Sequence, residues 1–293
     1  MEKPTMSVNE VMDKIHELNL EMLAVLETLC KKYDIQYYVA YGTLIGAVRH
    51  QGFIPWDNDI DLWITRANFE KLYQHRDELP KDYPLIMPEI HGPKKYFDCV
   101  PRLNYRHMYI KMDEDACRFY DNHNNRMDLD FFFIDKTYND WRGALQRFEL
   151  VVLYALMNAY RHKSCFERYT KGRRIINAIS STIGHLIPLN WMRARVAKVA
   201  NRYNDREDAH FYFRSNGLIK SFFRAIPEEY FGIPQRLPFE DVTVPAPQNP
   251  DVLLRMVYGD YMKLPPEEQR VPHWSSKLLK PDMFVFEEPP KFE

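Results

Sequence analysis

Apolar residues recur near the start of the chain at Val8, Val11, Met12, Ile15, Leu18, Met22, Leu26 and Leu29. That spacing is close to the 3.6-residue period of a helix burying one face. Ser7 and Glu10 add the spacing of a capping box, so the pattern predicts one long helix over 7–33. The run YYVAY at 37–41 is aromatic and branched, as in a buried strand. Gly42 and Thr43 punctuate it, and LIGAVRH follows as a short helix. DIDLWI at 59–64 alternates polar with apolar. As a strand it carries Asp59 and Asp61 on one face and turns Ile60 and Leu62 into a core. A further helix is predicted over 66–79.

Residues 82–135 hold short apolar or alternating runs separated by turn residues, which predicts mostly β structure. From 141 to about 203 the pattern turns helical, with basic clusters at 171–174 and 193–198. Twelve of the 20 prolines lie from Pro227 to Pro290, which leaves room for only short elements there. These are a strand at 242–244 and a helix over 250–258, with Asn249 as its cap, Pro250 in its first turn and Gly259 past its end. The order predicts an α+β fold: a mixed β-sheet core, flanking helices and a helical appendage. The expected division is a catalytic core at 1–140, a helical insertion at 141–210, and a proline-rich C-terminal part at 211–293 that packs back on the core.

Composition narrows the class. The 293 residues are 45% hydrophobic and 28% charged, as in a globular protein. A net charge of −1 argues against holding nucleic acid by global charge. The aromatic content of 14% suits pockets that stack flat or cationic ligands. Cys30, Cys99, Cys117 and Cys165 have no CxxC spacing, and the N-terminal stretch is no signal segment. Reduced thiols in a cytoplasmic protein are therefore expected. Residues 175–192 lack Asp, Glu, Lys and Arg, but Asn177, Ser180, Ser181, His185, Pro188 and Asn190 would be costly in a bilayer. Two readings stay open there: an amphipathic element making peripheral membrane contact at the inner face, or a buried helix pair.

The candidate chemistry lies in the acids. Asp57, Asp59 and Asp61 stand at alternate positions. Carboxylates sharing one strand face repel, and a hard divalent cation relieves the repulsion. Gly42 and Thr43 precede a helix, whose N-terminus suits a phosphate. MDLDFFFID at 127–135 offers Asp128 and Asp130 on one face of a second strand, either of which would complete a metal cage. There is no GxSxG and no P-loop, and no histidine pair has zinc spacing; His50 and His273 are kept as either surface or chemical groups. Tyr258, Gly259, Asp260 and Tyr261 either line a pocket or cap and pack a helix. Trp56, Trp63, Tyr38 and Tyr41 either surround a quaternary amine or belong to the core.

A Gly-Ser/Thr turn, an acid-x-acid strand and a third acid on a later strand resemble a nucleotidyltransferase-fold active site. More closely, GTLIGAVRHQGFIPWDNDIDLWI resembles the signature of the LicD family, which includes bacterial phosphocholine transferases and the related fukutin proteins of animals. LDFFFIDK is similar to that family's DIFPLD strand, and LPFEDVTVPAPQNPDVLLRMVYGDYMKLPPEEQR to its C-terminal block. Asn58 and Phe133 depart from the pattern, where the family often has an acid and a proline.

The resemblance implies a nucleotidyltransferase-like core that uses Mg²⁺ or Mn²⁺. Asp59, Asp61 and Asp130 would be both catalytic and metal-holding, with Asp128 competing for the third place. Gly42, Thr43 and Arg49 would hold phosphate, Asp57 would help the metal or orient the loop, and Tyr258 and Asp260 would line the substrate pocket. The implied partners are a CDP-alcohol donor, foremost CDP-choline, and a glycan or glycolipid acceptor such as lipopolysaccharide or teichoic acid. The implied reaction passes the alcohol phosphate to an acceptor hydroxyl and releases CMP. The alternatives are transfer of NMP by the same fold, or a catalytically silent nucleotide-binding module.

Overall fold

The first helix forms as its periodicity requires. In the computed structural model, which describes residues 6–87, 99–163, 170–272 and 280–291, α1 spans Val8–Lys32. Ser7 accepts from the Glu10 N–H and the Glu10 carboxylate accepts from the Ser7 N–H, so the capping box is complete. Its apolar face, from Val11 to Leu29, is buried in the main core. Cys165 and His273 lie outside the described residues.

β1 (Tyr37–Val39), α2 (Tyr41–Arg49), β2 (Ile60–Ile64), α3 (Arg66–Gln74) and β3 (Leu85–Ile86) follow. α2 begins earlier than expected, so Gly42 and Thr43 lie within its first turn instead of ahead of it. β4 (Arg102–Ile110) and β5 (Arg126–Thr137) flank α4 (Glu114–Tyr120), a helix that the β reading of this region missed. α4 is too short for an apolar period to register. It is made by local chemistry: Asp113 caps it by accepting from the Ala116 N–H, and Asp121 closes it in the left-handed region.

The main sheet runs β1-β2-β5-β4-β10, where β10 is Phe284–Val285. β2 and β5 are parallel and the other ladders are antiparallel. β5 is long enough to serve two neighbours. Its residues 129–133 pair with β2, and its residues 134–137 pair with β6 (Phe211–Arg214), which carries β7 (Ile226–Pro227). A hairpin of β8 (Gln235–Phe239) and β9 (Val242–Ala246) lies against β1. This mixed sheet with flanking helices is the expected α+β architecture.

Helices α5 (Trp141–Met157), α6 (Lys171–Gly184) and α7 (Leu189–Ala200) form the helical region. α5 and α7 share a second core built on Leu150, Leu153, Met157, Met192, Val196 and Val199. α8 (Pro250–Tyr258) ends at Gly259, which takes the positive φ of 72°. Asn249 sits at the N-cap but does not cap; its Nδ2 donates to the Glu229 carbonyl at 3.1 Å. Among the described residues, no helix is long and apolar enough to cross a membrane.

Candidate active site

The strand register brings the acids together. Asp61 of β2 stands beside Asp130 of β5, and in a parallel pair such partners project to the same side. Asp59, just ahead of β2, is exposed, whereas Ile60 and Leu62 are fully buried. Burial pushes the Asp61 carboxyl well above the usual carboxylate range, and the charges of Asp59, Asp130 and Asp57 push it further; Arg214 opposes them. Four carboxylates therefore share one small volume, an arrangement that costs stability unless something cationic joins it.

The loop carrying these acids is pinned from α1. His16 Nε2 lies 2.7 Å from the Asp57 carbonyl, and Asn19 Nδ2 donates to the Asn58 carbonyl at 3.2 Å. The Asp57 side chain reaches the first turn of α2. A Cβ on Gly42 would meet Asp57 Oδ2 at 2.1 Å, so only glycine admits it. The positive end of the helix dipole favours a negative group there. The Thr43 hydroxyl is buried and accepts from the Asp61 N–H at 3.0 Å, tying α2 to β2. Tyr41 holds φ at +45°, a conformation that costs a side-chain-bearing residue roughly 1–3 kcal/mol. Its ring is locked edge-on to Trp63 and Phe132, at 4.9 and 5.4 Å between centroids.

A divalent cation fits the chemistry of this donor set, since Asp59 and Asp61 offer hard oxygens with excess negative charge. The expected three-acid cage is not preformed. Among the described residues, no three His, Cys, Asp or Glu side chains are arranged to hold a metal ion. Asp130 explains why. Arg102, its register partner in β4, places Nε 2.8 Å from Asp130 Oδ1 and 3.3 Å from Asp128 Oδ2. The third carboxylate is thus already held in an ion pair.

The acids open into a cleft of about 1200 Å³. Asp59, Asp61 and Asp130 line it together with Tyr41, Trp63, Phe132 and Tyr258; Asp128 does not. Its wall also carries Arg102, Arg161, Arg173, Arg214, Lys220 and Arg224. The Arg214 guanidinium lies 3.8 Å from the Phe132 ring centroid and 5.1 Å from that of Tyr41. Two of the four aromatics expected around an amine are elsewhere. Tyr38 is buried and donates to the Gly232 carbonyl at 2.5 Å, and Trp56 stands edge-on to His50. Burial and the nearby Tyr41, Asp61 and Asp57 raise the Tyr258 phenol pKa.

The C-terminal block returns to brace this site. The Glu240 carboxylate accepts from the Phe53 N–H at 2.8 Å and fills the space beside Gly52, where a Cβ would meet it at 2.2 Å. Arg49 donates to the Tyr261 carbonyl at 2.5 Å. Arg49 and Tyr261 are absent from the cleft wall, as are Gly42, Thr43, Asp57 and Asp260. The expected pocket residues Asp59, Asp61, Asp130 and Tyr258 are on it. Arg102, Arg214 and Phe132 escaped the sequence reading. The alternation around Phe132 marked it as strand, but nothing local marks an arginine on another strand as an acid's partner.

Residues 34–150 match the sequence profile described as "LicD/FKTN/FKRP, nucleotidyltransferase domain". That segment contains β1 to β5 and all the clustered acids. The chain is similar to the lipopolysaccharide cholinephosphotransferase LicD of Haemophilus influenzae, at 28% identity over 87% of this chain and 92% of that protein. An uncharacterised protein of Rickettsia typhi is 31% identical over 47% of this chain and 38% of its own. One of Rickettsia prowazekii is 38% identical over 25% of this chain and 23% of its own. The acid-x-acid strand and the companion carboxylate on β5 thus lie within a segment that matches the LicD-type nucleotidyltransferase domain, in a chain that is similar to a LicD protein along most of its length.

Proposed function

We propose that this protein is a metal-dependent transferase that moves phosphocholine from CDP-choline to a hydroxyl of a lipopolysaccharide-type glycan. The observation that carries this reading is Asp61. Asp61 is half-buried, with three other carboxylates around it, on the wall of a cleft that also offers aromatic rings and arginines. The full-length similarity to a lipopolysaccharide cholinephosphotransferase supports the choice of alcohol and acceptor.

In the reaction, the acceptor oxygen attacks the phosphorus that bears choline. The bond from that phosphorus to the bridging oxygen breaks, CMP leaves with the electron pair, and the acceptor proton passes to a carboxylate of the cluster. Asp59 and Asp61 would hold Mg²⁺ or Mn²⁺, with Asp130 as third ligand once it leaves Arg102. The cation supplies charge neutralisation on the diphosphate. Arg102, so released, and Arg214 would meet phosphoryl oxygens as fixed guanidinium donors. Gly42 and Thr43, off the cleft wall, would act through the positive end of α2, which Asp57 meets, and Arg49 would hold the C-terminal block on α2 through the Tyr261 carbonyl. Tyr258, exposed on the same wall, would receive the quaternary ammonium, an attraction worth roughly 0.5–2 kcal/mol, while Tyr41 and Phe132 carry Arg214.

The test is product analysis with CDP-choline, Mn²⁺ and a lipopolysaccharide acceptor. Free CMP and a phosphocholine-bearing glycan are expected. A nucleotide-tagged product with pyrophosphate from CTP would replace this reading with NMP transfer. Calorimetry without metal-dependent CDP binding would replace it with a silent module.

A further inference from the structure

Two arginines on the cleft wall act on the acids, and they are held in different ways. Arg214 is buried and has neutral partners: its Nε donates to the Asn216 carbonyl at 2.7 Å and its Nη1 to the Ser221 hydroxyl at 3.4 Å. A Cβ on Gly217 would meet its Nη2 at 2.0 Å, so the chain closes tightly over that guanidinium. Arg102 is held by acids. It is the register partner of Asp130 across the β4–β5 ladder, as Asp61 is across the β2–β5 ladder. Asp61, Asp130 and Arg102 therefore form one row across three neighbouring strands, and all three line the cleft.

Arg102 serves two carboxylates at once. Its Nε lies 2.8 Å from Asp130 Oδ1 and 3.3 Å from Asp128 Oδ2, and the three side chains are only 14%, 23% and 20% exposed. The two acids differ in what they can reach: Asp130 lines the cleft and Asp128 does not. With two partners, Arg102 can give up Asp130 and still keep Asp128, so the exchange does not strand a largely enclosed charge. The charge of Asp130 reaches Asp61 and adds to the repulsion there. Arg102 offsets that charge, and for the same reason a divalent ion must compete with it for Asp130. A diphosphate brings several negative charges, with oxygens that suit the two-pronged fork of a guanidinium.

We propose that Arg102 is a positioning residue that couples the cation to the donor: it holds Asp130 until a nucleoside diphosphate enters, moves onto the phosphoryl oxygens, and so yields Asp130 to the divalent ion. Asp128 tethers it through the exchange. Each ligand then binds tighter in the presence of the other, by the same factor in both directions. The inference rests on the proposed function for its metal and its donor.

The test is Mn²⁺ binding to the full chain, read by electron paramagnetic resonance of the free ion. It is measured with and without CDP and corrected for the Mn²⁺–CDP complex formed in protein-free solution. CDP carries no choline, so nothing turns over. The wild type should bind Mn²⁺ at least on the order of tenfold tighter with CDP. In Arg102→Gln, Mn²⁺ alone should bind several-fold tighter and Mn²⁺ with CDP more weakly, so that the coupling shrinks about tenfold. Loss of a nearby positive charge by itself would tighten both measurements alike and leave the coupling as it was. That result overturns the proposal, as does a wild type whose Mn²⁺ binding ignores both CDP and pyrophosphate. Arg102→Lys keeps the charge but not the fork; if Arg102→Gln does not fold, the coupling should still fall in this second variant, and an undiminished coupling overturns the proposal. Pyrophosphate in place of CDP separates the two readings. Arg102-dependent coupling to pyrophosphate in a protein that ignores CDP keeps this inference and removes the nucleotide donor. Coupling to CDP that is indifferent to Arg102 keeps the donor and overturns the inference.

Discussion

Two aspartates on neighbouring stretches of the same sheet receive opposite treatment. Asp135, in the half of β5 that pairs with β6, is fully buried. Arg66 Nε sits 2.9 Å from its Oδ2, Asn204 Nδ2 donates to its Oδ1 at 2.7 Å, and the Ser215 hydroxyl also donates to it. Every face of that charge is answered. Asp61, where β2 runs beside the other half of β5, is enclosed with Asp57, Asp59 and Asp130 around it. Burying a charge is tolerable when partners surround it and costly when they do not. A fold that satisfies one buried carboxylate this fully and leaves another among like charges marks the second as the place where a ligand completes the structure.

Exchanging the roles of these two residues gives the largest expected effect. Asp61→Asn, or Asp59→Ala, should lower the rate of CMP release by on the order of 10³-fold, while circular dichroism stays native. Asp135→Ala should act on the other quantity. It takes the carboxylate from half-buried Arg66 and from Asn204 and Ser215 and should cost roughly 3 kcal/mol in a denaturant melt. A variant at Asp135 as stable as wild type would remove the contrast.

A third effect is smaller and opposite in sign. The Asp61 carboxyl is raised in the folded state, so its contribution to stability is complete below pH 3.8 and is lost as pH rises toward its folded value. Asp61→Asn should therefore melt above wild type at neutral pH, and the two should converge in acid. Adding Mn²⁺ at neutral pH should raise the wild-type melting temperature and leave the variant unmoved. The smallest effect belongs to the brace. Glu240→Gln weakens the bond to the Phe53 N–H and should cost about 1 kcal/mol, with KM for the donor rising more than kcat falls.

Much of the site was legible before folding because its logic is local. Alternation within DIDLWI puts Asp59 and Asp61 on one face, and the buried Ile60 and Leu62 confirm the phase. The capping pair Ser7 and Glu10 sits where its spacing said it would. Local logic failed where the partner was remote. Asp128 and Asp130 share a face on paper, and only the β2–β5 register sets Asp130 beside Asp61. Asn249 had the right identity for a cap, yet Glu229 captured its side chain. Both spellings of 175–192, surface element or buried pair, fit the same letters.

The sequence by itself determined where the long first helix and the acid-bearing strands lie, which of their residues share a face, and that acids gather at 57–61. These follow from backbone geometry, which acts over a few residues. The tertiary structure alone decided which face meets what. It laid Arg102 across Asp130, set Asp57 against Gly42, brought Glu240 back to Phe53, and turned the isoleucines of α6 outward. A side-chain period specifies a direction from its own element. What stands in that direction depends on chain segments far away in sequence, and on how much apolar surface they leave uncovered.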